Sequence, residues 1–209
     1  MSAYAKLFAA TAPTRLVPVI VIETPEQALP MAKAFTRAGV TVLEITFRTA
    51  YGAEAIKTIK QAFPEMTIGA GTVLSSTHIQ QALDAGSDFI VSPGTTPGLL
   101  KELAELDTAV FPGVATVSEA MTAYEYGFSH QKFFPAEAAG GVATLKSLHA
   151  PLPDLTFMPT GGITRENARS YLALENVACI GGSWMIDKAA IAAGDWERFE
   201  AEIKKRTAM

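Results

Sequence analysis

The chain has 209 residues, of which 49% are hydrophobic and 18% are charged, and its formal net charge is −4. This length and composition allow one or two domains with a large buried core. The negative charge argues against a nucleic-acid partner, and no apolar run is long enough to span a bilayer. The single cysteine, Cys179, excludes an intramolecular disulfide, so we expect a cytoplasmic protein with no membrane partner.

The first predicted elements are a short amphipathic helix over residues 1–10 and an apolar strand over 15–22. Thr24 and Pro25 then begin a helix, because a cap residue followed by proline favours a helix start. The alternation continues with strands near residues 40–48, 67–70, 88–91, 109–111, 130–134, 155–159 and 177–180. Helices are predicted over 52–63, 78–85, 97–106, 118–126, 141–148, 165–174 and 196–205.

These segments form eight strand–helix units at a spacing of about 25 residues, which is typical of parallel strands joined by crossover helices. Eight parallel strands form either a closed barrel or an open doubly wound sheet. We favour an α/β fold of the (β/α)8 TIM barrel type, because no Gly-x-Gly-x-x-Gly turn follows the first strand. No linker or low-complexity segment interrupts the chain, so we predict one domain over residues 1–209.

The second predicted strand alternates sharply between apolar and polar residues. Leu43 and Ile45 belong to the apolar set, which is expected to pack on the helices. Glu44 and Arg48 then point towards the barrel interior near its carboxyl-terminal rim, where barrel enzymes place their catalytic residues. The alternative is a solvated face of an edge strand, but a closed parallel barrel has no edge.

Lys132 lies in a short predicted strand, His130-Gln131-Lys132-Phe133-Phe134, which Pro135 ends. At the two-residue period of a strand, His130, Lys132 and Phe134 share one face. A lysine inside a protein is rare unless it has a function. The neutral amine that burial favours is a nucleophile towards carbonyl carbon, so Lys132 is a candidate catalytic residue unless it is solvated on a sheet surface.

Glycine pairs follow the last two predicted strands, at Gly161-Gly162 and at Gly181-Gly182, and Ser183 follows the second pair. Backbone N–H groups and a helix N-terminus in this part of a barrel bind phosphate without a cationic side chain. We therefore expect a phosphate site there. The turn Gly69-Ala70-Gly71-Thr72 after the third strand is a weaker candidate for close approach of the backbone to a ligand.

A metal site is not supported by the sequence. The histidines His78, His130 and His149 are scattered, and no two have the spacing of metal ligands. We expect His130 to be a hydrogen-bonded structural residue, because it lies lower on its strand than Lys132. Cys179 stands in an apolar run and is expected to be a core residue.

Lys132, Glu44 and Arg48 therefore face one interior that also has a phosphate site and no metal. A lysine amine forms a Schiff base with a keto group, and the protonated imine then accepts electrons from a breaking carbon–carbon bond. Glu44 could carry protons in these steps, and Arg48 could hold a substrate carboxylate through two hydrogen bonds. The set describes a metal-independent aldolase, without a cofactor, that acts on a phosphorylated 2-keto acid.

With these residues in hand, the sequence closely resembles the 2-keto-3-deoxy-6-phosphogluconate (KDPG) aldolases, a family that also covers 4-hydroxy-2-oxoglutarate (KHG) aldolase. The resemblance runs from about Val17 to Met185. Seven motifs in order carry it: LEITFRTA at residues 43–50, GAGTVL at 69–74, SPG at 92–94, PGVAT at 112–116, KFFPAEAAGG at 132–141, PTGGI at 159–163 and GGSWM at 181–185.

The resemblance implies a class I lyase of the Entner–Doudoroff route that splits KDPG into pyruvate and glyceraldehyde 3-phosphate. It implies Lys132 as the Schiff-base residue and Glu44 as the general acid/base. The family is a (β/α)8 barrel and usually a homotrimer, which fits the low charged fraction of this chain. The implied substrate-binding residues are Arg48 and Thr72 for the pyruvate carboxylate, Pro93 and Phe134 beside the site, Thr160 for stereochemical control, and Gly161, Gly162 and Ser183 for the phosphate.

Two residues depart from the family pattern. Gln131 stands where we expect an apolar residue, but it lies on the strand face opposite Lys132, so it bears on strand–helix packing. Ala139 stands where serine is common, in the loop near the predicted phosphate site. Neither change alters the assignment.

Several alternatives remain open from the sequence. The galactonate-specific aldolase of the same chemistry differs in configuration at one carbon, and Thr160 favours the gluconate form. A phosphosugar isomerase or epimerase would use Glu44 as a base without covalent chemistry. A phospholigand-binding barrel without activity and a class II metal aldolase are less well supported, because the catalytic set is intact and the metal ligands are missing. The balance between KDPG and KHG stays undetermined.

Overall fold

The computed structural model describes residues 3–208. Met1 and Ser2, which belong to the predicted first helix, lie outside the described residues, as does Met209. The helices are α1 (Ala3–Thr11), α2 (Ala28–Arg37), α3 (Gly52–Ala62), α4 (Ser76–Asp84), α5 (Pro97–Ala104), α6 (Val117–Glu125), α7 (Gly141–His149), α8 (Arg165–Leu172), α9 (Lys188–Ala192) and α10 (Trp196–Thr207). The strands are β1 (Leu16–Ile20), β2 (Val42–Thr46), β3 (Thr67–Gly71), β4 (Phe89–Val91), β5 (Ala109–Phe111), β6 (Gly113–Val114), β7 (His130–Phe133), β8 (Thr156–Pro159) and β9 (Ile180–Gly182).

All paired strands are parallel, which confirms the predicted α/β class. One sheet has the order β5-β4-β3-β2-β1-β9 and a second has the order β6-β7-β8. Two isolated parallel bridges, Phe157 to Val177 and Thr160 to Gly181, connect β8 and the residue after it with the β9 segment. No helix within residues 3–208 is both long and apolar enough to cross a membrane.

The structure corrects three sequence predictions. The predicted strand 109–111 is β5, and a further short strand that was not predicted, β6, begins after Pro112, which has no N–H to donate to a ladder. The last strand is Ile180–Gly182 rather than 177–180, since Gly181 and Gly182 pair with β1 while Val177 makes only an isolated bridge. Helix α9 was not predicted, and Asp187 begins it by accepting hydrogen bonds from two backbone N–H groups.

Two apolar clusters show which way the strand side chains point. Leu43 and Ile45 of β2 belong to the large cluster that joins the strands to the helices. Val42 of the same strand belongs to a smaller cluster with Val17, Phe89, Phe111, Met158 and Cys179. Burial raises the pKa of the Cys179 thiol to about 12, so this cysteine is a protonated core residue, as predicted.

Helix α1 covers one end of the strands. The Tyr4 hydroxyl donates to the Val110 carbonyl at 2.7 Å and accepts from the Val110 N–H at 3.1 Å. Its ring lies 4.5 Å from that of His130, the first residue of β7, measured between ring centroids. Because α1 occupies the amino-terminal ends of β5 and β7, the open end of the strands is the carboxyl-terminal one.

Asp88 ties α1, α3 and β3 together just before β4. Its carboxylate accepts from the Lys60 ammonium at 2.7 Å, the Ile68 N–H at 2.9 Å and the Lys6 ammonium at 3.0 Å. Partial burial by itself raises the pKa of Asp88, but the hydrogen bonds from Lys60, Ile68 and Lys6 outweigh it and hold the pKa below its usual range. The ionised form is therefore the one that the fold stabilises.

Asp88→Asn is expected to lower the free energy of unfolding by about 1–3 kcal/mol at pH 7. A carboxylate with a depressed pKa contributes stability above its unfolded pKa of about 3.9 and loses it as pH falls through the lower folded value. The difference between the two proteins should therefore shrink below about pH 4. Urea unfolding across this pH range measures it, with the exposed Asp107→Asn as the control. A difference that stays constant down to pH 2 would contradict the assignment.

Candidate active site

Lys132 is buried on β7, with 4% of its surface exposed. Its N–H donates to the Pro112 carbonyl at 2.9 Å, and in the sheet it lies between Gly113 of β6 and Met158 of β8. Its ammonium nitrogen lies 5.4 Å from the centroid of the Phe134 ring. The strand therefore holds the lysine inside, and the side chain is not solvated on a sheet surface.

Glu44 of β2 is the partner of Lys132. Lys132 Nζ donates to Glu44 Oε1 at 3.2 Å, with 5% and 0% of the two side chains exposed. The second oxygen, Glu44 Oε2, is buried and has no hydrogen-bond partner among residues 3–208. An amine and a carboxylate held at this distance out of bulk water can exchange a proton, and the unpaired oxygen can accept or deliver one more.

Gly71 makes room for the Glu44 carboxylate. A Cβ placed on Gly71 would lie 2.3 Å from Glu44 Oε1 and 2.7 Å from its Cγ. Thr72 follows with a φ of +60°, a conformation that β-branched residues rarely adopt. The turn that the sequence indicated as a close backbone approach is therefore occupied by the Glu44 side chain, with strained backbone beside it.

A cavity of about 640 Å³ lies at the carboxyl-terminal ends of β1, β2, β7, β8 and β9. Six of the residues singled out from the sequence line it: Arg48, Phe134, Thr160, Gly161, Gly162 and Ser183. The Thr160 hydroxyl oxygen is buried and has no hydrogen-bond partner among the described residues, so its hydrogen-bonding capacity is unused within the fold. The volume suits a small molecule.

The turn at Gly161-Gly162 packs against the segment after β7. The Ala136 N–H donates to the Thr160 carbonyl at 2.8 Å, and the Glu137 N–H donates to the Gly161 carbonyl at 3.0 Å. Both glycines have positive φ, +103° and +75°, and a Cβ on Gly162 would lie 2.7 Å from the Glu137 side chain. The positive φ favours glycine at both positions, and at Gly162 a Cβ has no room either.

Comparison with known proteins identifies the family. The family model described as KDPG and KHG aldolase matches residues 9–202. The chain belongs to this family. It is 48% identical to the KHG/KDPG aldolase of Escherichia coli K12 over 183 residues, which are 88% of this chain and 86% of that protein. It is 46% identical to the 2-dehydro-3-deoxy-phosphogluconate aldolase of Pseudomonas aeruginosa over 186 residues, 89% and 84% of the two chains.

A solved structure of the same family has a similar fold. The KDPG aldolase of Legionella pneumophila, with pyruvate captured at low pH as a covalent carbinolamine intermediate, superposes with a TM-score of 0.90 at 41% identity. The match covers 95% of this chain and 97% of that one. The covalent chemistry described for that relative is the chemistry for which the buried Lys132–Glu44 pair is suited.

Four of the site residues implied by the family resemblance do not line the cavity: Lys132, Glu44, Thr72 and Pro93. Thr72 and Pro93 follow β3 and β4, and neither is among the described residues on its wall. The backbone of Pro93 nevertheless packs against the strand next to Lys132, because a Cβ on Gly113 would lie 2.2 Å from the Pro93 carbonyl carbon and Gly113 pairs with Lys132. Their roles stay predictions.

Other cavity residues were not found from the sequence. Glu23 and Gln27 line it from the segment after β1, and Lys188 lines it from the start of α9. Lys188 stands at the start of a short helix that was not predicted, a few residues after the Gly181-Gly182-Ser183 motif. That position was the only indication in the sequence of a role for this lysine.

His130 and Gln131 have different outcomes. Gln131 donates to the carbonyls of Ala120 and Phe128, both at 2.9 Å, so it joins β7 to α6 as predicted. The expectation of a hydrogen-bonded His130 is wrong, because its Nδ1 is buried without a partner among the described residues and aromatic rings surround it. Burial lowers the pKa of His130, which favours the neutral ring.

Within residues 3–208, no group of three or more His, Cys, Asp or Glu side chains is placed to hold a metal ion.

Proposed function

We propose that this chain is a class I lyase that cleaves 2-dehydro-3-deoxy-6-phosphogluconate to pyruvate and glyceraldehyde 3-phosphate. The buried Lys132–Glu44 pair carries the proposal. The names of the family relatives support it, because they describe aldolases that act on this substrate and on KHG. The same chemistry extends to 4-hydroxy-2-oxoglutarate, which has the same reacting 2-keto-4-hydroxy unit.

The reaction begins when the neutral amine of Lys132 adds to the C2 carbonyl carbon. Glu44 relays one proton from the added nitrogen to the former carbonyl oxygen and delivers its own carboxyl proton as the second, so the oxygen leaves as water and a protonated imine forms. Glu44 then removes the proton of the C4 hydroxyl while the C3–C4 bond breaks. The electron pair of that bond moves into the imine, which becomes an enamine. Glyceraldehyde 3-phosphate leaves, the enamine is protonated at C3, and water hydrolyses the imine to release pyruvate and Lys132.

The remaining site residues bind and orient the substrate. Arg48 supplies a guanidinium to the cavity and suits the carboxylate at C1, for which Thr72 is the second proposed residue. Phe134 and Pro93 flank the reacting carbons. The unpaired hydroxyl of Thr160 suits the hydroxyl at C4, and Gly161, Gly162 and Ser183 suit the phosphate.

The galactonate-specific aldolase is the alternative within the same chemistry. The curated relatives named above are gluconate aldolases, and Thr160 with its unpaired hydroxyl lies in the cavity, so the gluconate configuration is favoured. Initial rates with the two phosphorylated substrates, measured side by side as pyruvate release, decide between them. A higher kcat/KM for the galactonate epimer would reverse the assignment.

Borohydride trapping with pyruvate tests the covalent mechanism. The purified chain is incubated with pyruvate and sodium borohydride, digested, and analysed by peptide mass spectrometry. We expect a pyruvate-derived adduct on Lys132, and no adduct when pyruvate is omitted. Cleavage activity without an adduct would make Lys132 structural and reopen the isomerase and metal-aldolase alternatives. Loss of activity on addition of a chelator would also contradict a class I enzyme.

We also propose that the strands close into a (β/α)8 barrel that forms one domain over residues 1–209. The bridge from Thr160 to Gly181 brings the β8 and β9 segments together, and only Pro112 separates β5 from β6. A crystal structure with an open gap between β8 and β9 would contradict closure.

A homotrimer is the proposed assembly. Val117, Met121 and Tyr124 lie one turn apart on α6 and are 45%, 49% and 45% exposed, so they form an apolar stripe on the surface. The low charged fraction of the chain, 18%, is consistent with further surface buried between subunits. A monomeric mass in sedimentation analysis would refute the trimer.

We place the enzyme in the cytoplasm, since Cys179 is free and buried. Recovery of the enzyme in a secreted fraction would refute this location.

A further inference from the structure

Lys188 lies on the wall of the cavity at the start of α9, directly after the β9–α9 connection that contains Ser183. The Ile186 N–H donates to the Ser183 carbonyl at 3.0 Å, a turn that brings the start of α9 back beside the glycine pair. Lys188 is the first residue of α9, and its position is held by Asp187, which accepts from the N–H groups of Ala189 and Ala190 at 3.0 and 3.1 Å. The backbone of the lysine is therefore fixed even though its side chain is exposed.

The charge of Lys188 is not used within the fold. Among residues 3–208 its ammonium makes no ion pair or hydrogen bond with a side chain. The adjacent carboxylate, Asp187, is committed to Arg198 at 3.1 Å and to Arg206 at 3.7 Å. A cation in a cavity wall without a protein partner is available to an anionic ligand.

Three ionisable side chains lie on the cavity wall, two of them cationic and one a carboxylate. They are Arg48, Lys188 and Glu23. Arg48 follows β2, the strand that carries Glu44, so we place it at the end of the cavity towards the Lys132–Glu44 pair. Lys188 belongs to the end with Ser183. A substrate with a carboxylate at one end and a phosphate at the other would place one anion near each cation.

We propose that Lys188 is a specificity-determining residue that pairs with the substrate phosphate and sets the preference for phosphorylated over unphosphorylated 2-keto acids. The inference rests on the proposed aldolase function and adds a cationic side chain to a phosphate site otherwise built from backbone N–H groups and one hydroxyl. A flexible lysine on the rim acts as a point charge on the phosphate and takes no part in bond breaking at C3–C4.

The test compares two substrates that differ only in the phosphate, 2-dehydro-3-deoxy-6-phosphogluconate and 2-dehydro-3-deoxygluconate. Lys188→Met should lower kcat/KM for the phosphorylated substrate about tenfold, mainly through KM, and leave the value for the unphosphorylated one unchanged. Lys188→Arg should restore most of the loss. Lys57→Met, which removes an exposed lysine on α3, is the control with the same net charge.

Two further measurements separate the possible outcomes. Added salt should raise the KM for the phosphorylated substrate more in the wild type than in Lys188→Met. Only the wild type has an ion pair with the phosphate that salt can screen. Pyruvate trapping by borohydride should proceed equally in both. If the wild type cleaves both substrates and Lys188→Met leaves their ratio unchanged, the role of Lys188 is refuted and the aldolase stands. If the wild type neither cleaves KDPG nor traps pyruvate, the proposed function is refuted and the role of Lys188 with it.

Discussion

Lys132→Arg is expected to lower kcat for aldol cleavage on the order of 10⁴-fold, while the protein stays folded. The guanidinium keeps the positive charge beside Glu44, but it stays protonated and cannot add to the C2 carbonyl carbon. Initial rates of pyruvate release measure the loss, and circular dichroism checks the fold. Lys101→Arg, at an exposed position on α5, is the matched control and should retain full activity.

The choice of arginine matters for this test. Lys132→Met would leave the Glu44 carboxylate buried without a cation, and breaking a buried ion pair costs about 3–5 kcal/mol. In such a variant, a loss of activity through unfolding would be indistinguishable from a loss of the nucleophile. Retention of more than a few per cent of activity in Lys132→Arg would exclude a Schiff base and favour an isomerase or epimerase that uses Glu44 as a base.

Glu44→Gln is expected to lower kcat by about 10²- to 10⁴-fold. The amide has the shape of the carboxylate and its oxygen can still accept from Lys132, but it cannot carry a proton between substrate atoms. KM should change little, because Glu44 is not proposed to hold the substrate carboxylate or phosphate. Steady-state rates with KDPG measure the effect, and a variant within a factor of three of the wild type would contradict a general acid/base role.

Gly71→Ala provides a second measurement of the same group, with the carboxylate still present. The added Cβ would lie 2.3 Å from Glu44 Oε1, so the side chain must move away from Lys132. We expect a loss of kcat comparable to that of Glu44→Gln. Gly98→Ala in α5 is the control, since the nearest heavy atom to its Cβ, Thr96 Oγ1, is 4.0 Å away. Equal activity of the two alanine variants would refute the positioning role of Gly71.

The alternation of β2 illustrates what could be predicted from the sequence. Leu43 and Ile45 pack with the helices and Glu44 is fully buried on the other face, as expected. The two-residue period of a strand decides which side chains share a face, and a strand covered by helices sends its apolar set towards them. The same argument placed Gln131 against α6 and Lys132 on the opposite face.

The motif resemblance went further than the periodicity. The motifs predicted the family and named Arg48, Phe134, Thr160, Gly161, Gly162 and Ser183, all of which line one cavity. The histidine was predicted less well. His130 lies on the same strand face as Lys132, but its ring nitrogen is unpaired because the neighbours at that depth are the aromatic rings of α1 and β5. A strand pattern does not report what another element places opposite it.

The sequence by itself determined the α/β class, the parallel strand–helix alternation, the family and the face on which each strand residue lies. These properties depend on local periodicity, turn chemistry and motif spacing, which can be read along the chain. Only the tertiary structure decided that Lys132 and Glu44, 88 residues apart, lie 3.2 Å from each other, that Gly71 leaves room for the carboxylate, and that Lys188 lines the cavity. Those contacts join distant segments, and they depend on how strands and helices pack together across the whole core, which no local pattern encodes.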